Sequence, residues 1–303
     1  MNSVTNIAFA VQGGCLNDMT DKTPEFGQYI KQELGKAASM GYELLKQSYS
    51  ATEVVSRVIA ELENTPGFNA GKGSALTANE MVEMDAFIMA ERFAAVSGIR
   101  HIQNPVRLAQ TLLQKHPDTV MYSEGAEVFA FKHEFAYTEQ DYFFTDERYE
   151  ELMRIKSNDG SSSPALCGMV SAVALDKDND LAVAASSGGD ANRCTGLMGY
   201  PALVGSSAFV QGPFAIVVHS DNGESITPGA SAVIANLLIS SEAFSVRQYE
   251  KIIHSYLSTL KKKVSLIVVD KQGHIFNLST GAGMYRASVD IHGLLTVDVA
   301  VSK

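Results

Sequence analysis

The clearest pattern of apolar and polar positions lies between Met169 and Gly189. Met169-Val170-Ser171-Ala172-Val173-Ala174-Leu175 and Leu181-Ala182-Val183-Ala184-Ala185 flank the polar stretch Asp176-Lys177-Asp178-Asn179-Asp180, and the second run enters a Ser186-Ser187-Gly188-Gly189 corner. Two short apolar runs around a loop of about five residues predict a β-hairpin. Near-continuous apolarity predicts that both of its faces are covered, which places the hairpin inside a layered domain.

The same reading extends along the chain. Ile7 to Val11 predicts a short buried strand that ends in Gln12-Gly13-Gly14. Ile30, Leu34, Ala37 and Ala38 recur at helical spacing within 24–49. Ser50-Ala51-Thr52-Glu53 is a capping-box pattern that starts a second helix reaching about Asn64. Asn104-Pro105 is an N-cap and N1 pair for a helix to about Lys115, and another short helix starts at Ser123. Thr145-Asp146-Glu147 caps a helix with acids early and bases late, as the helix dipole favours. After it, Ser157-Asn158-Asp159-Gly160-Ser161-Ser162-Ser163 is the one clear linker composition. Ile216 to Ser220 predicts a strand, and Thr227-Pro228 opens a helix to about Ser241. Val264 to Val269 and His274 to Leu278 predict a hairpin around Lys271-Gln272-Gly273.

Composition narrows the class. The chain has 303 residues, 46% hydrophobic and 19% charged, which suits a globular protein with a substantial core. A formal net charge of −10 argues against sequence-independent nucleic-acid binding. No apolar stretch reaches the ~18 residues of a membrane span. The N-terminal apolar run has no basic region before it, so a signal peptide is not expected. Cys15, Cys167 and Cys194 lie far apart, an odd count that fits a reducing, cytoplasmic setting.

Most chemical motifs fail on spacing. The segment Gly67 to Ser74 is glycine-rich, but Gly67 and Gly71 enclose three residues and Gly73 follows Lys72, so it is not a P-loop. The seven histidines are dispersed, without metal-ligand spacing. No G-x-S-x-G elbow occurs. His219 and Ser220 are neighbours on a strand, point to opposite faces and cannot form a dyad.

Four segments together resemble the plant-type asparaginases and isoaspartyl peptidases, which are N-terminal-nucleophile hydrolases. Gly168-Met169-Val170-Ser171-Ala172-Val173-Ala174-Leu175-Asp176, with its Ser186-Ser187-Gly188-Gly189 corner, is similar to that family's Gly-Thr-Val-Gly-Ala-Val-Ala-Leu-Asp run and Ser-Thr-Gly-Gly corner. Phe68-Asn69-Ala70-Gly71-Lys72-Gly73-Ser74 and Glu83-Met84-Asp85-Ala86-Phe87-Ile88-Met89 resemble its Phe-Asn-Ala-Gly-x-Gly-Ser and Glu-Met-Asp-Ala-x-Ile-Met. Gly283-Met284-Tyr285-Arg286 resembles its closing Gly-Met-Tyr-Arg. Gln12 departs from a His-Gly-Gly turn. The resemblance implies one α+β domain over 1–303, a four-layer αββα sandwich with the Ntn-hydrolase fold. An α-chain-like half (1–156) and a β-chain-like half (169–303) would then be joined by a linker (157–168) at the place where relatives cut themselves. It also implies a homodimer, here of uncut chains, with no cofactor beyond a structural sodium ion held by main-chain oxygens of Leu62, Glu63 and Phe68.

The resemblance sets Met169 against the catalytic threonine. That threonine attacks the preceding peptide bond, and its freed amine then activates its own hydroxyl. A thioether can do neither, and methionine is a good filler of irregular apolar space. Cys167 and Ser171 share a strand face with Met169 but sit two residues away, about 7 Å. A small buried cysteine and a strand serine are their plain readings. Leu197 stands where the family's Arg clamps a substrate carboxylate, and Tyr200 or a deletion replaces the Asp that holds the amine. Arg193, just upstream, could reach in to replace the lost Arg, but an exposed cation is its commoner reading. Asn69, Gly188, Gly189 and Gly223 complete the implied binding set. Ser187 and Ser220 keep hydroxyls at supporting positions. Asp221 puts a carboxylate where the family's oxyanion site has a bare glycine.

Three functional expectations follow. The first is an unprocessed pseudoenzyme that binds a small-molecule or peptide ligand, or a protein partner, in the old pocket. The second is a repurposed enzyme acting on a less polar amide through Ser171, Cys167, Ser187 or a bound water. The third is an ordinary L-asparaginase or β-aspartyl peptidase.

Overall fold

The computed structural model describes residues 6–16, 24–157, 168–220, 229–241, 245–260, 263–281 and 283–299. The linker after Ser157, Cys167, Asp221, Gly223 and the Thr227-Pro228 helix start lie outside them.

Two sheets carry the fold. The larger has eight strands, in the order β12 (Leu295–Val299), β11 (Gly283–Val289), β1 (Ala8–Leu16), β5 (Val170–Leu175), β6 (Leu181–Ser187), β2 (Met84–Met89), β3 (Phe93–Ile99) and β4 (Thr119–Tyr122). The smaller has four: β10 (Ile275–Ser279), β9 (Val264–Asp270), β8 (Phe214–Ser220) and β7 (Ala208–Gln211). Among the described residues every strand pairing is antiparallel except β3 with β4. The large sheet therefore draws its strands from both halves of the chain.

Helices cover the outer faces. α1 (Pro24–Lys46), α2 (Ala51–Glu63), α3 (Pro105–Lys115) and α4 (Ser123–Lys132) pack on the large sheet. α6 (Ala230–Ile239) and α7 (Val246–Leu257) pack on the small one. α5 (Asp146–Lys156) lies beside the glycine-rich loop, where Arg148 Nε donates to the Gly73 carbonyl at 2.6 Å. Strand alternation sorts the core into three apolar layers. On β5, Val170, Ala172 and Ala174 face α2, while Val173 and Leu175 face the small sheet. On β8, Ala215 and Val217 face the large sheet, while Phe214, Ile216 and Val218 face α6 and α7. This is the αββα sandwich that the sequence implied.

Local chemistry explains the element boundaries. The hairpin of β5 and β6 pairs Leu175 with Leu181, and Asn179 turns the corner at φ 65°. Asp176 accepts from the Asp178 and Asp180 amides at 3.0 and 2.9 Å and, through its other oxygen, from Ala51 N at 2.7 Å, so the turn also caps α2. Ser50 Oγ accepts from Glu53 N at 3.3 Å. The other half of that capping box is unmade, because the Glu53 carboxylate is held by Arg57, Arg107 and Gln110. Asn104 precedes α3 without a side-chain cap, since its amide donates to Ala60 O and Asn64 Oδ1 instead.

Gly71 adopts φ +51°, and a Cβ there would overlap the Glu63 carbonyl. Gly71→Ala is expected to cost about 3 kcal/mol in urea denaturation, from left-handed strain and overlap together. A loss below about 1 kcal/mol would contradict the packing described.

Candidate active site

The site is built where the large sheet turns its inner face toward the open ends of β5 and β6. Met169 sits immediately before β5, half-buried among the apolar residues between the sheets. Two residues deeper on the same face, Ser171 is fully buried. Its Oγ lies 2.9 Å from Nε2 of His219, which reaches across from β8 of the small sheet. That pair had no counterpart in the strand reading. Sequence alone weighed His219 against its neighbour Ser220, whereas the partner is supplied by sheet stacking. Ser220 is the next residue on β8, half-buried, and by alternation on the opposite face. Burial pulls the His219 imidazole down to about 3, so the ring is neutral at physiological pH.

Asn69 ties the corner together. Its main-chain N–H donates to Gly168 O at 3.2 Å, and its carbonyl accepts from Gly188 N at 2.9 Å. Its side-chain amide donates to Gly189 O at 2.7 Å, and its side-chain oxygen accepts from Ala75 N at 2.8 Å. Ser187 Oγ accepts from Gly189 N at 2.9 Å. A Cβ at Gly188 would meet Ser74 and the Asn69 amide oxygen, which explains the bare backbone there. Asn69, Ser187, Gly188 and Gly189 are thus brought together beside Met169, with their polar groups engaged in one another.

Arg193 overturns its expectation. It is 9% exposed, not a surface cation. Its guanidinium lies against Gly189, pairs with Asp85 Oδ2 at 3.3 Å and donates to the Glu83 carbonyl. Burial pushes the Asp85 carboxyl up, opposed by Arg193, Ser97 and the Gly199 and Gly98 amides. A buried carboxylate requires such a partner, and the Asp85 in the Met84-Asp85-Ala86 segment is the signal that could have located Arg193. Glu83 in turn accepts from Gly196 N at 2.8 Å, anchoring the loop that carries Leu197. Leu197 is 54% exposed and Met198 45%, so the loop offers apolar side chains, not a cation, to solvent. Tyr200, half-buried, opens a short 3₁₀ turn with Pro201 and Ala202.

The implied cation loop can be tested on its oxygens. Leu62 O accepts from Thr65 N at 3.1 Å and Glu63 O from Lys72 N at 2.6 Å. A Cβ at Gly71 would fall on Glu63 O, and one at Gly73 on the Pro66 and Phe68 carbonyls. Glycine at 71 and 73 therefore lets the loop backbone pass close to these carbonyl oxygens. The Glu63 carboxylate points elsewhere, accepting from Ser186 Oγ at 2.7 Å and Val106 N at 3.0 Å. Among the described residues no group of three His, Cys, Asp or Glu side chains is placed to hold a metal.

Two buried groups set the pH dependence of stability. Burial pushes the Glu63 carboxyl from 4.5 up to about 8. Its contribution is complete below 4.5 and is lost as pH rises through 8, because the unfolded chain ionises first. His219 has the opposite sign: its contribution is present above 6.5 and is lost as pH falls toward 3, because the unfolded ring takes the proton first. Glu63→Gln should flatten the alkaline limb of a stability–pH profile from chemical denaturation, and His219→Gln the acid limb. Unchanged limbs would contradict these burials.

The asparaginase family model matches residues 5–298. The isoaspartyl peptidase of Escherichia coli is 32% identical over 273 residues, covering 86% of this chain and 85% of that protein. The isoaspartyl peptidase/L-asparaginase of Rattus norvegicus is 32% identical over 291 residues, covering 94% and 86%. The corresponding protein of Homo sapiens is 31% identical over 251 residues, covering 80% and 81%. With a full-length family match, two-sheet layering and these relatives in agreement, the chain belongs to the asparaginase family.

Proposed function

We propose that this protein is an unprocessed member of its family, a pseudoenzyme for asparagine and isoaspartyl hydrolysis that binds a small-molecule or peptide ligand in the former catalytic cleft. The observation that carries the reading is the placement of Met169. Its thioether joins the apolar layer between the sheets, and the sequence resemblance sets this residue against the nucleophile, which needs a hydroxyl and a free amine. Sulfur in a thioether has no proton to give and no negative charge to offer a carbonyl.

The binding side agrees. A bidentate carboxylate clamp needs an available guanidinium. Leu197 has none, and Arg193 is committed to Asp85 and the Glu83 carbonyl. Exposed Leu197 and Met198 suit a less polar ligand than a free amino acid. The Glu63, Pro66 and Phe68 carbonyls would hold a sodium ion, together with Leu62 O, as a purely structural group that stiffens the loop carrying Asn69. A homodimer of uncut chains in the cytoplasm completes the proposal.

Hydrolysis of L-asparagine and of a β-aspartyl dipeptide, followed by ammonia release and chromatography, should stay at the rate of a heat-killed control. Met169→Thr combined with Leu197→Arg should remain inactive, because the sequence still carries Asp221 where the resemblance sets the glycine of the oxyanion site. Turnover by the unaltered protein would overturn the reading.

A further inference from the structure

Beneath Met169 the two sheets enclose a row of polar side chains that packing does not explain. Gln12 on β1 lies directly opposite Ser171 on β5, and Arg286 on β11 lies opposite Gln12 on its other side. His219 on β8 lies directly opposite Ser265 on β9. Directly opposed strand residues share a face, with Cβ atoms about 4.5–5.5 Å apart. The Ser171–His219 hydrogen bond joins the two rows across the sheets. Among the described residues, both amide atoms of Gln12, Nδ1 of His219, Oγ of Ser265 and Nε of Arg286 are buried without a hydrogen-bond partner. Leaving a buried polar atom unpaired is destabilising. A family of apolar side chains would fill this space without that cost, so the retained polar set asks for a purpose.

We propose that Ser171, His219 and Gln12 form a second, serine-based acyl-transfer site that needs no chain cleavage, with Met169 as its movable cover. The inference goes beyond the pseudoenzyme reading, which concerns only the threonine-type reaction. Each residue has one role. Nε2 of neutral His219 accepts the Ser171 proton as Oγ attacks the carbonyl carbon of an ester or amide. The new C–O bond leaves a tetrahedral oxyanion, which the free Gln12 amide N–H groups receive. Collapse breaks the bond to the leaving group, which takes the proton back from His219 Nε2. Water then attacks acyl-Ser171 with His219 again as base, releasing the acid and restoring the hydroxyl. With Nε2 as acceptor, the ring proton resides on Nδ1. Ser265, directly opposite on β9 and with its hydroxyl unbonded in the structure, is assigned as the positioning residue that accepts this N–H when the hydroxyl turns toward the ring.

Size and polarity define the substrate class. Ala10, Val173, Ala185 and Val217, all apolar and fully buried, make up the same closely packed inter-sheet layer and offer no partner to a charge, so the substrate class is a short, uncharged acyl group. In the structure Ser171 and His219 are closed off from solvent, and half-buried Met169 is the neighbour on the open side. Methionine's three rotatable bonds make it suited to swing aside.

The test uses the full-length protein with diisopropyl fluorophosphate and p-nitrophenyl acetate, reading adduct mass and modified peptide. The expected adduct is on Ser171, formed at least ten-fold faster in Met169→Ala. Ser171→Ala should abolish it, His219→Gln should slow it by about 10²-fold or more, and Gln12→Leu should slow it by about 10²-fold. Ser265→Ala should slow it and Ser265→Thr should restore it, a rescue that a merely structural role would not give. Thermal unfolding of each variant identifies those that remain folded, and His219→Asn replaces His219→Gln should the latter unfold. An adduct only in folded Met169→Ala still supports the site, with Met169 closing it tightly. No Ser171 adduct in either folded protein, or an adduct on another residue, overturns it. Neither outcome changes asparagine hydrolysis, so the two proposals fail separately.

Discussion

The stacking of the four-stranded sheet on the eight-stranded one governs everything around the site. Strands β5, β6 and β8 are covered on both faces, so every side chain they point inward is either apolar or must find a polar partner in the facing sheet. Ala8, Ala10, Val173, Val183 and Val217 satisfy the first condition. Ser171 and His219 satisfy the second, by bonding to each other. The same stacking determines what methionine at 169 means: at the open edge of a dry layer, a flexible thioether extends the core where a hydroxyl would have to stand clear of it.

Much of the architecture was legible because it rests on local rules. The β5–β6 hairpin declared itself through two apolar runs around a run of Asp and Asn, and the structure adds only that Asp176 also caps α2. The hairpin of β9 and β10 was equally plain. Contacts made by tertiary packing were not legible. Arg193 looks like any surface cation until Asp85, far away in sequence, is seen to lie buried beside it. Asn104 looks like a cap until α2 offers its amide better acceptors. The partner of His219 lies in another sheet, and no spacing rule along one strand can name it.

Among the positions that the sequence resemblance sets apart from the family pattern, Gln12, Met169 and Ser171 are neighbours in the fold. Gln12 and Ser171 are cross-strand neighbours, and Met169, immediately before β5, packs into the same inter-sheet layer. Outside it the supporting frame keeps its form: Asn69 still braces Gly188 and Gly189, and glycines 71 and 73 still leave room for the Glu63, Pro66 and Phe68 carbonyls. Fold and site are constrained separately, so the frame does not by itself fix the chemistry it carries.

The central claim is that the chain works uncut. Intact mass under denaturing conditions, on fresh protein and again after a week at neutral pH, tests it most directly. A single species of 32.6 kDa at both times is the expected result. Two fragments would contradict it, and the new N-terminal residue would name the nucleophile that made the cut.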